Sequence, residues 1–94
     1  MQHRTDSNQS AIVKALRQAG ASVCSLASVG TGCPDLLVGW AGSNFLIEVK
    51  NPDGRGMRFT PAEREFMDTW RGRVFVVCDV VQALELLDNS DERK

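Results

Sequence analysis

The chain is poor in the residues that carry most nucleophile and transition-metal chemistry. Its one histidine, His3, stands near the N-terminus, which argues against a histidine-based catalytic triad or a histidine metal cluster. The three cysteines, Cys24, Cys33 and Cys78, are odd in number and contain no C-x-x-C pair. Neither a disulfide framework nor a zinc site is therefore expected, and all three read as reduced thiols. No apolar stretch approaches the roughly 18 residues of a membrane helix, and the N-terminus is too polar for a signal peptide. The expectation is a soluble, cytoplasmic protein with no membrane partner. Internal repeats and low-complexity linkers are also missing.

What is present is the composition of an ordinary globular protein. Of 94 residues, 43% are hydrophobic and 24% charged, which fits one domain over 1–94 with a small core and mobile ends at 1–6 and 89–94. The net charge of -1 hides a gradient. Residues 50–78 carry Lys50, Arg55, Arg58, Arg64, Arg71 and Arg73 against Asp53, Glu63, Glu65 and Asp68, whereas residues 79–94 are mainly acidic. A mildly basic middle is compatible with a surface facing phosphates, and also with a plain solvated face.

Periodicity orders the elements. Ile12, Val13, Leu16 and Ala19 fall on one helical stripe that Gly20 stops. "SVCSLASV" reads as a strand, "VGTGCPD" as a glycine-rich loop, and "DLLVGW" and "NFLIEVK" as two strands of a hairpin. Thr60-Pro61-Ala62-Glu63 carries an N-cap, a proline at the first helical position and a capping-box acid. Phe66, Met67 and Trp70 would be the buried stripe of that helix, with Gly72 ending it. "RVFVVC" reads as a strand covered on both faces, and Asp79 caps a last helix with Val80, Ala83, Leu84 and Leu87 on its apolar side. The order α-β-β-β-α-β-α predicts an α/β domain, a mixed sheet flanked by helices.

The chemistry gathers at the hairpin's open end. Side chains alternate along a strand, so Glu48 and Lys50 share a face while Val49 points to the other. A hairpin closed through "AGSN" sets Trp40 opposite Phe45 and brings the "PD" end level with the "EVK" end, on strands about 4.8 Å apart. Two carboxylates so close need positive charge between them. Mg²⁺, held by one or two carboxylates and several waters, meets that need, and the Val49 backbone carbonyl is a further candidate ligand. Lys50 would orient or help deprotonate an attacking water, or offset charge in a phosphodiester transition state.

Cys33-Pro34-Asp35, followed thirteen positions after the aspartate by Glu48-Val49-Lys50, resembles the PD-(D/E)xK nuclease signature. More narrowly, "GCPDLLVG" with "FLIEVKNPDGRGMRFTPAEREFMDTWRG" is similar to the VRR-NUC domain in its small stand-alone form from phages and bacteria. The resemblance implies a restriction-endonuclease-like fold and a Mg²⁺- or Mn²⁺-dependent DNA endonuclease. It also implies a homodimer acting on branched or junction DNA. It assigns Asp35 and Glu48 as metal ligands and Lys50 as the catalytic lysine. The family's polar residue on the first helix would be supplied by Asp6, Asn8 or Gln9, of which Gln9 is carried forward. The position of its glutamine on the following helix corresponds to Glu63.

Plainer readings stand beside these. E-x-K alone describes an exposed ion pair, and P-D alone marks turns. Glu63 already has a role in the capping box. Arg55 and Arg58 are phosphate contacts on one reading and solvated loop charges on the other. Trp40 and Trp70 read as core or dimer-interface residues before base-stacking platforms. A non-catalytic DNA-binding or regulatory module that keeps the fold is the alternative to the nuclease. A nuclease for RNA or single strands is a third, weaker reading.

Overall fold

The computed structural model describes residues 4–51 and 58–92. The elements follow in the order α1 (Arg4–Gln18), β1 (Ser22–Ser25), β2 (Leu36–Trp40), β3 (Ser43–Val49), α2 (Pro61–Thr69), β4 (Val74–Val77) and α3 (Val80–Glu92). They form one four-stranded sheet in the order β1-β2-β3-β4, antiparallel except for the parallel β3–β4 pair. That parallel pair requires a crossover, which the segment containing α2 supplies. This is the mixed α/β architecture that the element order predicts. Among the described residues no helix is long and apolar enough to cross a membrane.

Alternation along the strands sorts the side chains into two layers. Leu36, Val38, Phe45, Ile47, Val49 and Val77 point to one side, where Ile12 and Leu16 of α1 and Ala83 and Leu87 of α3 complete the buried core. The Trp40 indole packs against this core and donates its Nε1–H to the Leu87 carbonyl at 3.0 Å, so Trp40 is a core residue. The opposite side carries Asp35, Glu48 and Lys50, and the start of α2 meets it through Glu63.

Three local expectations change. The hairpin closes more tightly, through a two-residue turn in which Ala41 (φ 51°) and Gly42 (φ 80°) both take positive φ, a type I′ geometry that matches strand twist. Trp40 therefore pairs with Ser43 and Val38 with Phe45, a shift of two residues that preserves which face each side chain occupies. The stripe on α2 is not a buried one. The helix has no fully buried residue, Trp70 is 49% exposed, and Phe66 and Trp70 stack on each other with ring centroids 4.8 Å apart. It also ends at Thr69, before Gly72, because Trp70 turns to an extended conformation. Finally, β4 is half-buried except at Val77: it is the sheet's edge, and it pairs only with β3.

Candidate active site

Continuing the β2–β3 register one step beyond the Leu36–Ile47 pair sets Asp35 level with Glu48, and one further step sets Pro34 level with Val49. The second pairing explains the proline. Buried Pro34 has no N–H to donate to the Val49 carbonyl, so it cannot extend the ladder on that side. The Val49 N–H instead donates to Asp35 Oδ2 at 2.8 Å. Asp35 is held from its other side as well, its carbonyl accepting the Leu26 N–H at 2.8 Å. The aspartate is thereby fixed across the end of β3.

Lys50 stands two residues beyond Glu48 on the same face. Its Nζ lies 3.2 Å from Glu48 Oε2 and donates to Glu63 Oε1 at 2.9 Å. Glu63 comes from the first turn of α2, where the capping box forms as the sequence predicts. The Glu63 N–H donates to Thr60 Oγ1 at 3.1 Å, and the Thr60 N–H donates back to Glu63 Oε1 at 3.0 Å. The same glutamate oxygen thus caps the helix and binds the lysine. Gly32 makes this docking possible. Its φ is +80°, and a Cβ there would meet the Ala62 carbonyl oxygen at 2.4 Å, so only glycine lets the loop before Asp35 pass against the start of α2.

The electrostatics are those of a site short of positive charge. Glu48 is only 5% exposed, and burial, reinforced by the charges of Asp35 and Glu63, pushes its carboxyl up to about 7. Burial also raises Asp35, against the pull of the Val49 N–H and Lys50. For Lys50, burial works to lower the pKa, but the hydrogen bonds to Glu63 and Glu48 outweigh it and the net direction is up. Lys50 is therefore an ammonium at neutral pH, which suits charge stabilisation better than proton abstraction. Burial opposes ionisation of Glu63 too, yet Lys50 and the Thr60 N–H win and hold it below the ordinary range. The Cys33 thiol is raised by burial and by the nearby Glu48 and Asp35 charges, so it stays protonated.

Three carboxylates around one ammonium leave the site with an excess of negative charge. Among the described residues no three His, Cys, Asp or Glu side chains form a group that could hold a metal ion. Two carboxylates and a backbone carbonyl, with water completing the shell, are nevertheless the donor set that Mg²⁺ accepts. The residues present fit such an ion.

The remaining sequence candidates spread out. Gln9 lies with Ser10, Val13, Lys14, Arg17 and Gln18 along an open groove on α1. Among the described residues no polar contact joins it to Asp35, Glu48 or Lys50. Asn8 reaches further, donating its Nδ2–H to the Cys78 carbonyl at 3.0 Å just beyond the end of β4. The side chain of Asp6 and all of Arg55 lie outside the described residues, and Arg58 is exposed. Phe59 escaped the sequence reading: its ring sits 4.8 Å from Lys50 Nζ. The one available signal was its place immediately before an N-cap.

No family model matches the sequence, and no curated protein matches it either. Among solved structures, a VRR_NUC domain superposes with a TM-score of 0.65 at 24% sequence identity, covering 93% of this chain and 97% of that one. The fold of this chain is accordingly similar to that of a VRR_NUC domain, in keeping with the mixed sheet and flanking helices described above.

Proposed function

We propose that this chain is a metal-dependent DNA endonuclease of the VRR-NUC type, with Asp35, Glu48 and Lys50 as its catalytic group. The observation that carries the proposal is the convergence of these three side chains at one end of β3, with Glu48 held at a pKa of about 7 among its neighbours. A buried carboxyl strongly shifted by desolvation and by specific charged neighbours marks a candidate functional site.

Asp35, Glu48 and the Val49 carbonyl would hold Mg²⁺ or Mn²⁺. When bound, such an ion polarises a phosphoryl oxygen and lowers the pKa of coordinated water. The chain's own residues do the rest. Asp35, pinned by the Val49 N–H, keeps its second oxygen directed by a rigid strand end. Lys50, charged and fixed by Glu63, offsets negative charge that develops on the phosphodiester in the transition state. Glu48 must lose its proton before it can act as a ligand, so metal affinity should rise with pH through the region near 7. Arg58 and Arg55, on the segment after Lys50, are proposed as phosphate contacts for the flanking strand.

Preference for branched or junction DNA, and action as a homodimer in the cytoplasm of a phage-infected or bacterial cell, complete the proposal. A second copy would add buried area to a small core. The alternative is a non-catalytic DNA-binding or regulatory module, against which the presence of Asp35, Glu48 and Lys50 at one strand end speaks. The test is a cleavage assay on labelled duplex, single-stranded, flap and four-way-junction DNA with Mg²⁺, Mn²⁺ or EDTA. Metal-dependent cutting that is lost in Glu48→Ala supports the proposal. A folded wild type that binds DNA but cuts nothing under any metal would replace it with the binding module.

A further inference from the structure

Lys50 carries a flexible four-carbon stem, yet its side chain is only 11% exposed. Two groups beside its ammonium are carboxylates, Glu63 at 2.9 Å and Glu48 at 3.2 Å. The third is apolar. The Phe59 ring centroid lies 4.8 Å from Nζ, within the range where an ammonium is attracted to an aromatic face.

Phe59 also has an ordinary structural task. It stands just before the N-cap Thr60, where an apolar residue commonly packs against the fourth residue of the helix to fix the entry of the chain. Here that fourth residue is Arg64, whose guanidinium carbon lies 5.7 Å from the same ring centroid. One ring thus meets α2 through Arg64 and the site through Lys50. An aliphatic residue could still pack on the Arg64 stem, but only an aromatic face can attract the lysine's charge.

We propose that Phe59 is a positioning residue for Lys50, its ring holding the ammonium in place from the side that the carboxylates leave open. The inference rests on the reading of Lys50 as the catalytic lysine. Its importance follows from the double demand on Glu48, whose carboxylate both contacts Lys50 and is proposed to hold a cation. A carboxylate committed to a divalent ion attracts an ammonium less. The two remaining contacts, Glu63 and Phe59, both come from the start of α2, so this helix end becomes the lysine's holder.

The test combines NMR of the metal-free protein with kinetics. In the wild type, the Phe59 ring protons should show NOEs to the Lys50 ε-methylene, whose protons should be shifted upfield by the ring current. Phe59→Leu keeps an apolar residue and removes the face, while Phe59→Tyr keeps the face. The expected result for Phe59→Leu is a kcat lower by about three- to thirty-fold. Its KM should stay within about twofold of wild type, and the Lys50 ε-protons should move downfield. Phe59→Tyr should restore both readouts. A wild-type kcat in Phe59→Leu, or a Lys50 shift identical in the Leu and Tyr variants, would overturn the inference. Should Phe59→Leu not fold, the wild-type NOEs decide: present, they support the contact, and absent, they refute it. A wild type that cuts no DNA removes the nuclease reading, while the NOEs and shifts still establish whether Phe59 holds Lys50.

Discussion

The two faces of the sheet are built for different ends. Toward α1 and α3, the inward face is mainly apolar, with Leu36, Val38, Ile47 and Val77 buried and Val23, Trp40 and Phe75 partly buried against them. Toward α2, the sheet carries Asp35, Glu48 and Lys50 beside Leu37, which is 37% exposed, and the covering helix buries no residue completely. Strand β3 serves both faces at once. Phe45, Ile47 and Val49 anchor it in the core, and the alternate positions Glu48 and Lys50 are thereby placed on a rigid mount. One face supplies stability, and the other spends part of it by keeping carboxylates close together and away from water.

The largest expected effect separates the two faces most cleanly. Glu48→Gln should lower DNA cleavage by about a thousand-fold or more while leaving the folded state intact, because it removes charge from the face that does not build the core. Turnover measured beside circular dichroism checks this. Ile47→Ala should do the reverse. Cutting a fully buried side chain on the core face should cost about 2–5 kcal/mol of unfolding free energy in urea titrations. Cleavage per folded molecule should change little.

The pH dependence of stability probes the strained face alone. The Glu48 carboxyl, at about 7 against an ordinary 4.5, keeps its proton in the folded chain after the unfolded chain has released it. Between those values the folded state binds more protons, so stability of the metal-free protein should fall as pH rises, by up to about 3 kcal/mol. The raised Asp35 acts in the same direction, and the lowered Glu63 acts below this window. Urea midpoints in EDTA at pH 5 and pH 7.5 should show the fall, and Glu48→Gln should largely flatten it. A smaller effect, about 1 kcal/mol, is expected from Thr60→Val, which removes the cap of α2 without touching the core face.

The same division explains what could be read from the residues alone. Local signals were legible. The Thr60–Glu63 capping box and the Asp79 cap, whose Oδ1 accepts the Gln82 N–H at 2.9 Å, depend only on neighbours in sequence. The core face was legible because period-two and helical stripes report burial directly. The gathering of Asp35, Glu48 and Lys50 at one sheet edge followed from the hairpin, although the expected register set Asp35 opposite Lys50 and the tighter turn brings it level with Glu48. A shift by an even number keeps every side chain on its face. The α2 face was harder. Phe66, Met67 and Trp70 have the spacing of a buried stripe, but spacing cannot reveal that the surface beneath is only partly covered. Phe59 was missed for a related reason: a single aromatic in a loop carries no period, and its contact with Lys50 exists only in three dimensions.

The central claim is that the α2 face holds a divalent cation through Asp35 and Glu48. Calorimetric titration of Mn²⁺ into the wild type and Glu48→Gln at pH 8, where Glu48 is ionised, tests it most directly. The account predicts saturable binding in the wild type and its loss in the variant. Equal binding by both proteins, or none by the folded wild type, would contradict it.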